Sequence, residues 1–163
     1  PFARQRVPAS ELQTTSLPAS HILLVENERC LHLLPQPLPG TIAILGAGLN
    51  LGWLAAPWLQ ERRVAYWGDI DTWGLQMLAT ARRHLPQLTA LLMDRATFDA
   101  HSAQAVAEPV CAEPAPGLQA AELALDTHLR GLAVGRLEQE FITPAAVAQA
   151  VRAWHVAQAT SGD

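Results

Sequence analysis

Short apolar runs alternate with amphipathic stretches along the first two thirds of the chain. Residues 22–25 are an apolar run that stops at Glu26-Asn27-Glu28, and they read as a buried strand. A helical pattern with Leu31, Leu33 and Leu34 follows, then a break at Pro35, Pro37, Pro39 and Gly40. Thr41–Leu45 is a second strand, closed by Gly46-Ala47-Gly48, and residues 50–60 read as a helix with Pro57 near an end or at a kink. Residues 64–67 form a third strand, Thr72–His84 a helix stopped by Pro86, and 88–93 a fourth strand ending on Asp94. This alternation predicts an α/β domain with a mostly parallel four-stranded sheet and helices on both faces. From Ala96 the pattern turns helical and predicts a helical C-terminal extension, with helices over 97–107 and 118–129 and a proline-bearing loop between them. Thr143-Pro144 is an N-cap followed by proline at the first helical position, opening a last helix to about Trp154. Residues 1–20, with three prolines and no sustained period, read as a linker or the remnant of a preceding domain. The domain proper spans 21–155, and 156–163 are a frayed tail.

The chemistry concentrates where strands end. After Trp67 come Gly68-Asp69-Ile70-Asp71-Thr72-Trp73-Gly74. In extended chain, residues two apart project to one side, so Asp69 and Asp71 leave the carboxyl end of the third strand together. Open α/β sheets bind their ligands at that end. Two carboxylates held this close repel unless they share a proton or a cation, and a hard cation of the Mg²⁺ type satisfies them. Glu26 holds the equivalent position after the first strand. If the two strands are neighbours, three acids meet at one sheet edge and suit one or two divalent ions for phosphoryl chemistry. Each acid also has an ordinary reading, stabilising a helix N-terminus. The same holds for Asp94 at the end of the fourth strand.

Composition narrows the function classes. Half of the 163 residues are hydrophobic, which excludes a disordered chain. The formal net charge is −4, which argues against holding nucleic acid by bulk charge alone. All eleven basic residues are Arg, a side chain suited to bidentate phosphate contacts. Cys30 and Cys111 lack metal spacing, so a reducing cytoplasm is expected. No apolar run reaches spanning length, so no membrane partner is expected. The first residue is Pro1, which reads as a fragment of a longer chain.

Four segments in order carry a resemblance: Val25-Glu26-Asn27, Tyr66-Trp67-Gly68-Asp69-Ile70-Asp71-Thr72, Leu92-Met93-Asp94 and Arg136-Leu137-Glu138-Gln139-Glu140. The Glu26 and Asp69-x-Asp71-x-x-Gly74 pattern resembles the Toprim fold of topoisomerases, primases and related nucleases. The four segments together resemble the C-terminal domains of JetD, the nuclease subunit of the Wadjet anti-plasmid system, related to the A subunit of type VI topoisomerases. The resemblance implies a Toprim-like domain that cleaves plasmid DNA with Mg²⁺ or Mn²⁺. It implies partners as well: an SMC-like ATPase, kleisin-like and accessory subunits, and a homodimer in the full-length protein. It implies Glu26, Asp69 and Asp71 as catalytic residues and metal ligands, with Glu26 also in acid/base work, and Glu138 and Glu140 as further ligand candidates. Were those two on a helix they would point about 200° apart, so only one could face the site, and Glu138 is taken as that one. The family commonly has His where this chain has Trp73, which leaves the carboxylates intact.

Other features have competing readings. Gly46-x-Gly48-x-x-x-Gly52, with Asp69 about twenty residues further on, mimics a dinucleotide fingerprint, although the spacing is one residue long and leaves the paired acids unused. An inert Toprim module that binds DNA or partners is a further alternative. Tyr66, the one tyrosine, lies inside a strand and reads as a core aromatic, so the chain by itself should hydrolyse with water or not react at all. The six histidines lack zinc spacing. The five tryptophans could stack on bases but read first as core.

Overall fold

The computed structural model describes residues 4–46 and 50–157. Four parallel strands, β1 (His21–Val25), β2 (Thr41–Leu45), β3 (Arg63–Trp67) and β4 (Thr89–Ala90), lie in the order β2-β1-β3-β4. Register runs His21 to Thr41 on one side of β1 and His21 to Arg63 on the other. The chain therefore leaves β1 toward one edge and returns beyond it to β3. The carboxyl ends of β1 and β3 sit side by side at this switch in direction, where a crevice opens in such sheets. Both strands are apolar nearly throughout because parallel strands are covered on two faces; residues 22–25 and 64–67 are all buried.

Among the described residues there are five α-helices: α1 (Ala9–Thr14), α2 (Thr72–His84), α3 (Arg95–His101), α4 (Ala120–Arg130) and α5 (Pro144–Val156). Helix α2 buries Leu75, Leu78, Ala79 and Ala81 and packs on α4, which buries Leu125 and Leu129. Thr143 caps α5 through the Ala146 amide, with Pro144 following, as the sequence predicts. Helix α5 presents Val147, Val151 and Trp154 inward, and the Arg63 guanidinium donates to the Trp154 carbonyl at 2.7 Å. Among the described residues no helix is long and apolar enough to cross a membrane.

Several predicted elements are shorter or of another kind. Residues 50–60 form no α-helix. Two 3₁₀ turns, Gly52–Ala55 and Pro57–Glu61, replace it, because Ala56 before Pro57 is extended (ψ 130°) and breaks the run. The segment after β1 is likewise 3₁₀, Glu28–Leu33, ended by extended Leu34 before Pro35. The fourth strand shrinks to two residues, because Leu92 adopts a left-handed conformation (φ 60°) that extended chain does not tolerate. Helix α3 stops at His101, a 3₁₀ turn Ser102–Gln104 follows, and Val106 pairs with Arg136 in a β-bridge. Within 1–20, α1 buries Leu12, whose carbonyl accepts from the Trp58 indole at 2.8 Å. Gly48 and the tail from Ala159 to Asp163 lie outside the described residues.

One buried ion pair fixes α2 to α4. Arg82 donates to both oxygens of Glu122, at 2.5 and 2.7 Å, and Glu122 accepts from the Gln119 amide to cap its own helix. Both side chains are about nine-tenths buried. Glu122→Ala leaves an unpaired guanidinium in that interface and is expected to cost about 3 kcal/mol of unfolding free energy. Urea denaturation checks this, and a loss below about 1 kcal/mol, the range of an exposed pair, contradicts it.

Candidate active site

Glu26 is the first residue beyond β1, and its amide donates to the Trp67 carbonyl at the end of β3. That bond sets the carboxyl side chain over the turn into the Asp69 segment. A methyl on Gly68 would stand 2.5 Å from Glu26 Oε2 and 2.9 Å from the Tyr66 ring, so only glycine leaves room for the acid there. The Tyr66 hydroxyl, wholly buried, donates to the same oxygen at 3.0 Å. Tyr66 is thus a core aromatic with a second use: it orients Glu26. Burial, then the neighbouring Glu26 charge, pushes the phenol well above its ordinary range, so it stays protonated as a donor.

Asp71 caps α2, accepting from the Gly74 amide at 2.6 Å, and is 5% exposed. A side chain at position 74 would run into the Asp69 carbonyl, so the tight turn requires Gly74. Asp69 is half-buried and accepts from the Gln139 amide at 2.8 Å. The ordinary helix-cap reading of Asp71 is therefore correct, and its second oxygen still faces the cluster, 3.5 Å from Arg136 Nε. Asp94 caps α3 through the Thr97 amide and is exposed. It borders a cleft of about 820 Å³ whose lining includes none of Glu26, Asp69 and Asp71.

Glu138 and Glu140 diverge. They flank Gln139 at a 3₁₀ turn, Gln139–Phe141. Glu138 Oε1 lies 3.5 Å from Arg136 Nη2, on the side of the aspartates. Glu140 instead accepts from the Asn27 amide side chain at 2.7 Å, with Arg29 at 4.0 Å.

Three residues escape sequence reasoning. Gln139 is fully buried. Its side-chain amide donates to the Trp67 carbonyl at 2.9 Å and its oxygen accepts from the Asn27 amide at 2.8 Å. It therefore bridges the ends of β1 and β3. Arg136 contacts four carboxylates: Glu108 at 2.7 Å, Asp69 at 3.2 Å, and Asp71 and Glu138 at 3.5 Å. Glu108 lies in the proline-bearing loop, where no periodicity marks it, yet it stands against Asp71 and Arg136. Gln139 and Arg136 sit in a segment that draws attention for its acids. The bridging role of the two depends on pairings of Leu137 with Ile70 and Arg136 with Val106 that no local pattern reveals. Of the tryptophans, Trp53, Trp67 and Trp154 are core, whereas Trp73 is 48% exposed in the first turn of α2, its indole donating to the Pro109 carbonyl at 2.9 Å.

The electrostatics are strained in one direction. Burial first, and then the charge of Asp69, raise Glu26 from 4.5 to about 6, against the relief from Tyr66. Burial also raises Asp69, opposed by the Gln139 amide and by Arg136. Asp71 is raised by burial and by Glu108, opposed by the Gly74 amide. As they stand, no three acid, histidine or cysteine side chains among the described residues are arranged to hold a metal ion. The chemistry of the donor set, carboxylate oxygens of Glu26, Asp69 and Asp71 whose charges disfavour one another, is of the kind a hard divalent cation takes. Thiolate chemistry does not compete, since burial, then Glu140 and Asp69, push the Cys30 thiol to about 12.

The dinucleotide reading fails on geometry. The strand before Gly46 is the edge strand β2, and the described residues after it form 3₁₀ turns rather than the α-helix whose N-terminus would receive a pyrophosphate.

A pH dependence follows for the chain without divalent ions. Because the folded value of Glu26 lies above its ordinary one, the folded state binds the extra proton between about pH 4.5 and 6. Its contribution to stability is present below that window and is lost as pH rises through it. Relative to the parent, Glu26→Gln is expected to gain on the order of 2 kcal/mol between pH 4 and pH 7 in EDTA. Denaturant titrations of both proteins across that range measure the difference; a difference independent of pH contradicts the assigned environment.

No curated protein matches the chain. The model of a family described as "Wadjet protein JetD, C-terminal" matches residues 1–151. That match runs from ahead of β1 into α5 and takes in the Glu26 turn, the paired aspartates and the 136–140 segment. The chain belongs to the family of Wadjet JetD C-terminal domains.

Proposed function

We propose that this domain is the catalytic part of a divalent-metal-dependent DNA endonuclease that cuts plasmid DNA within a multi-subunit defence complex. The observation that carries the reading is the meeting of Glu26, Asp69 and Asp71 at the adjoining carboxyl ends of β1 and β3, with charges that disfavour one another. Membership of the Wadjet family supports a defence role beside partner subunits; an SMC-like ATPase and kleisin-like subunits are the partners proposed, and a homodimer the full-length state.

Glu26, Asp69 and Asp71 would hold Mg²⁺ or Mn²⁺. Glu138 follows as a ligand candidate because it faces the same arginine, and Glu140 is more remote in its contacts. Bound there, the cation supplies Lewis-acid stabilisation of a phosphoryl oxygen and acidifies water. The chain's own residues do the rest. Glu26, aimed by the Tyr66 hydroxyl, would accept a proton from water. Gln139 and Gly74 fix the two aspartates through backbone amides. Trp73 offers an exposed aromatic face beside them. With a net charge of −4, affinity for the DNA backbone must come from elsewhere in the assembly. The isolated chain is accordingly expected to be inactive.

A Mn²⁺ titration of the chain, paired with a plasmid-nicking assay of the reconstituted complex, tests this. Asp69→Asn and Asp71→Asn are each expected to abolish saturable Mn²⁺ binding and to lower cleavage by about 100-fold or more, the scale of losing one preorganised charge-stabilising group. NAD(H) binding in place of metal, or metal binding with plasmid left intact by the complete complex, contradicts the endonuclease.

A further inference from the structure

Arg136 is placed unlike the other cations of the domain. Among the described residues it is the one ion-pair partner of Asp69 and of Asp71. Its guanidinium fork is divided. Nη1 is anchored on Glu108 at 2.7 Å, while Nη2 and Nε reach across to Asp69 and Asp71 at 3.2 and 3.5 Å. The Nε contact lacks hydrogen-bond geometry, so Nε is buried without a partner. The grip is therefore firm on Glu108 and loose on the aspartates.

The backbone around it is fixed. Arg136 and Val106 exchange amide bonds at 3.1 and 2.8 Å, and Leu137 and Ile70 do the same at 3.0 and 2.8 Å. The side chain, in contrast, is 30% exposed on a flexible stem. It can leave the aspartates without any ladder bond breaking, and it can do so while keeping Glu108. A guanidinium keeps its charge throughout the accessible pH range, so it cannot make way by losing a proton. It must move.

We propose that Arg136 is the built-in counter-cation of the acidic cluster: it holds Asp69 and Asp71 when no divalent ion is present and must release both for one to bind. This rests on the reading of those aspartates as metal ligands and adds to it a residue that sets the metal affinity. Arg136 acts as a positioning residue through the carboxylates. Glu108 serves as its parking partner.

The test uses the full chain and Mn²⁺ alone, with binding followed by calorimetry or by the loss of the free Mn²⁺ resonance signal. Arg136→Gln removes the competing charge and is expected to tighten Mn²⁺ binding about tenfold or more, as removal of a unit charge at a few ångströms in a half-buried site predicts. Arg136→Lys keeps the charge and is expected to stay within about threefold of the parent, since the competition is Coulombic. A purely structural role would weaken binding in both variants. Unchanged or weaker binding by Arg136→Gln, with saturable binding in the parent, overturns the counter-cation and leaves the metal ligands standing. Absence of binding in parent and variant alike overturns the metal reading and the counter-cation with it.

Should Arg136→Gln fail to fold by circular dichroism, the unaltered chain gives the answer. The Arg136 Nε–H resonance, identified by its loss in Arg136→Lys, is expected to shift on Mg²⁺ addition with the same midpoint as metal binding. A resonance that does not respond while metal binds overturns the proposal.

Discussion

The site depends on one fully buried side chain. Gln139 holds the Trp67 carbonyl with its amide nitrogen and the Asn27 amide with its oxygen, while its own backbone amide holds Asp69. Those bonds join the ends of the two central strands to a segment more than a hundred residues beyond the first of them. Without them the Trp67 carbonyl would keep only the Glu26 amide, and the part-buried Asn27 amide would lose its partner, which costs about 1–3 kcal/mol for a buried group left unpaired. The parallel register of β1 and β3 brings Glu26 and Asp69 close. Gln139 keeps them there and brings Arg136, Glu138 and Glu140 within reach by chain continuity.

Crowding follows from that arrangement. Carboxylates from β1, β3 and the loop at Glu108 share a partly buried space with one guanidinium. Glu26, Asp69 and Asp71 are pushed toward their protonated forms by burial and by neighbouring charge, and each is partly relieved by a fixed donor: Tyr66 for Glu26, the Gln139 amide for Asp69, the Gly74 amide for Asp71. A fold gains nothing in stability from acids so placed. Perturbed acids gathered at the carboxyl edge of a parallel sheet are what the proposed metal site rests on, in a chain that belongs to the family of Wadjet JetD C-terminal domains.

Much of the scaffold was legible because strands and helix ends have local signals. The runs 22–25, 41–45 and 64–67 matched strands within one residue, Thr72–His84 matched α2, and Thr143-Pro144 opened α5. Misreadings gathered at prolines and at one left-handed residue. Pro57 and Pro35 forced the preceding residues to be extended and turned predicted helices into 3₁₀ turns. Leu92 cut the fourth strand short. At the site, Glu26, Asp69 and Asp71 stood out by position after strands. Arg136, Gln139 and Glu108 did not, because their roles come from antiparallel bridges between distant segments. The divergence of Glu138 and Glu140 likewise needed the 3₁₀ turn at Gln139 to be seen.

The central claim is that these acids cage one class of ion. A crystal of the chain soaked in Mn²⁺ and measured for anomalous scattering tests it most directly. The account predicts a peak at oxygen-coordination distance, about 2.0–2.2 Å, from the carboxylates of Glu26, Asp69 and Asp71, with the Arg136 guanidinium turned away toward Glu108. A fully soaked crystal with no peak there, or one whose ion sits elsewhere while Arg136 still spans the two aspartates, would contradict it.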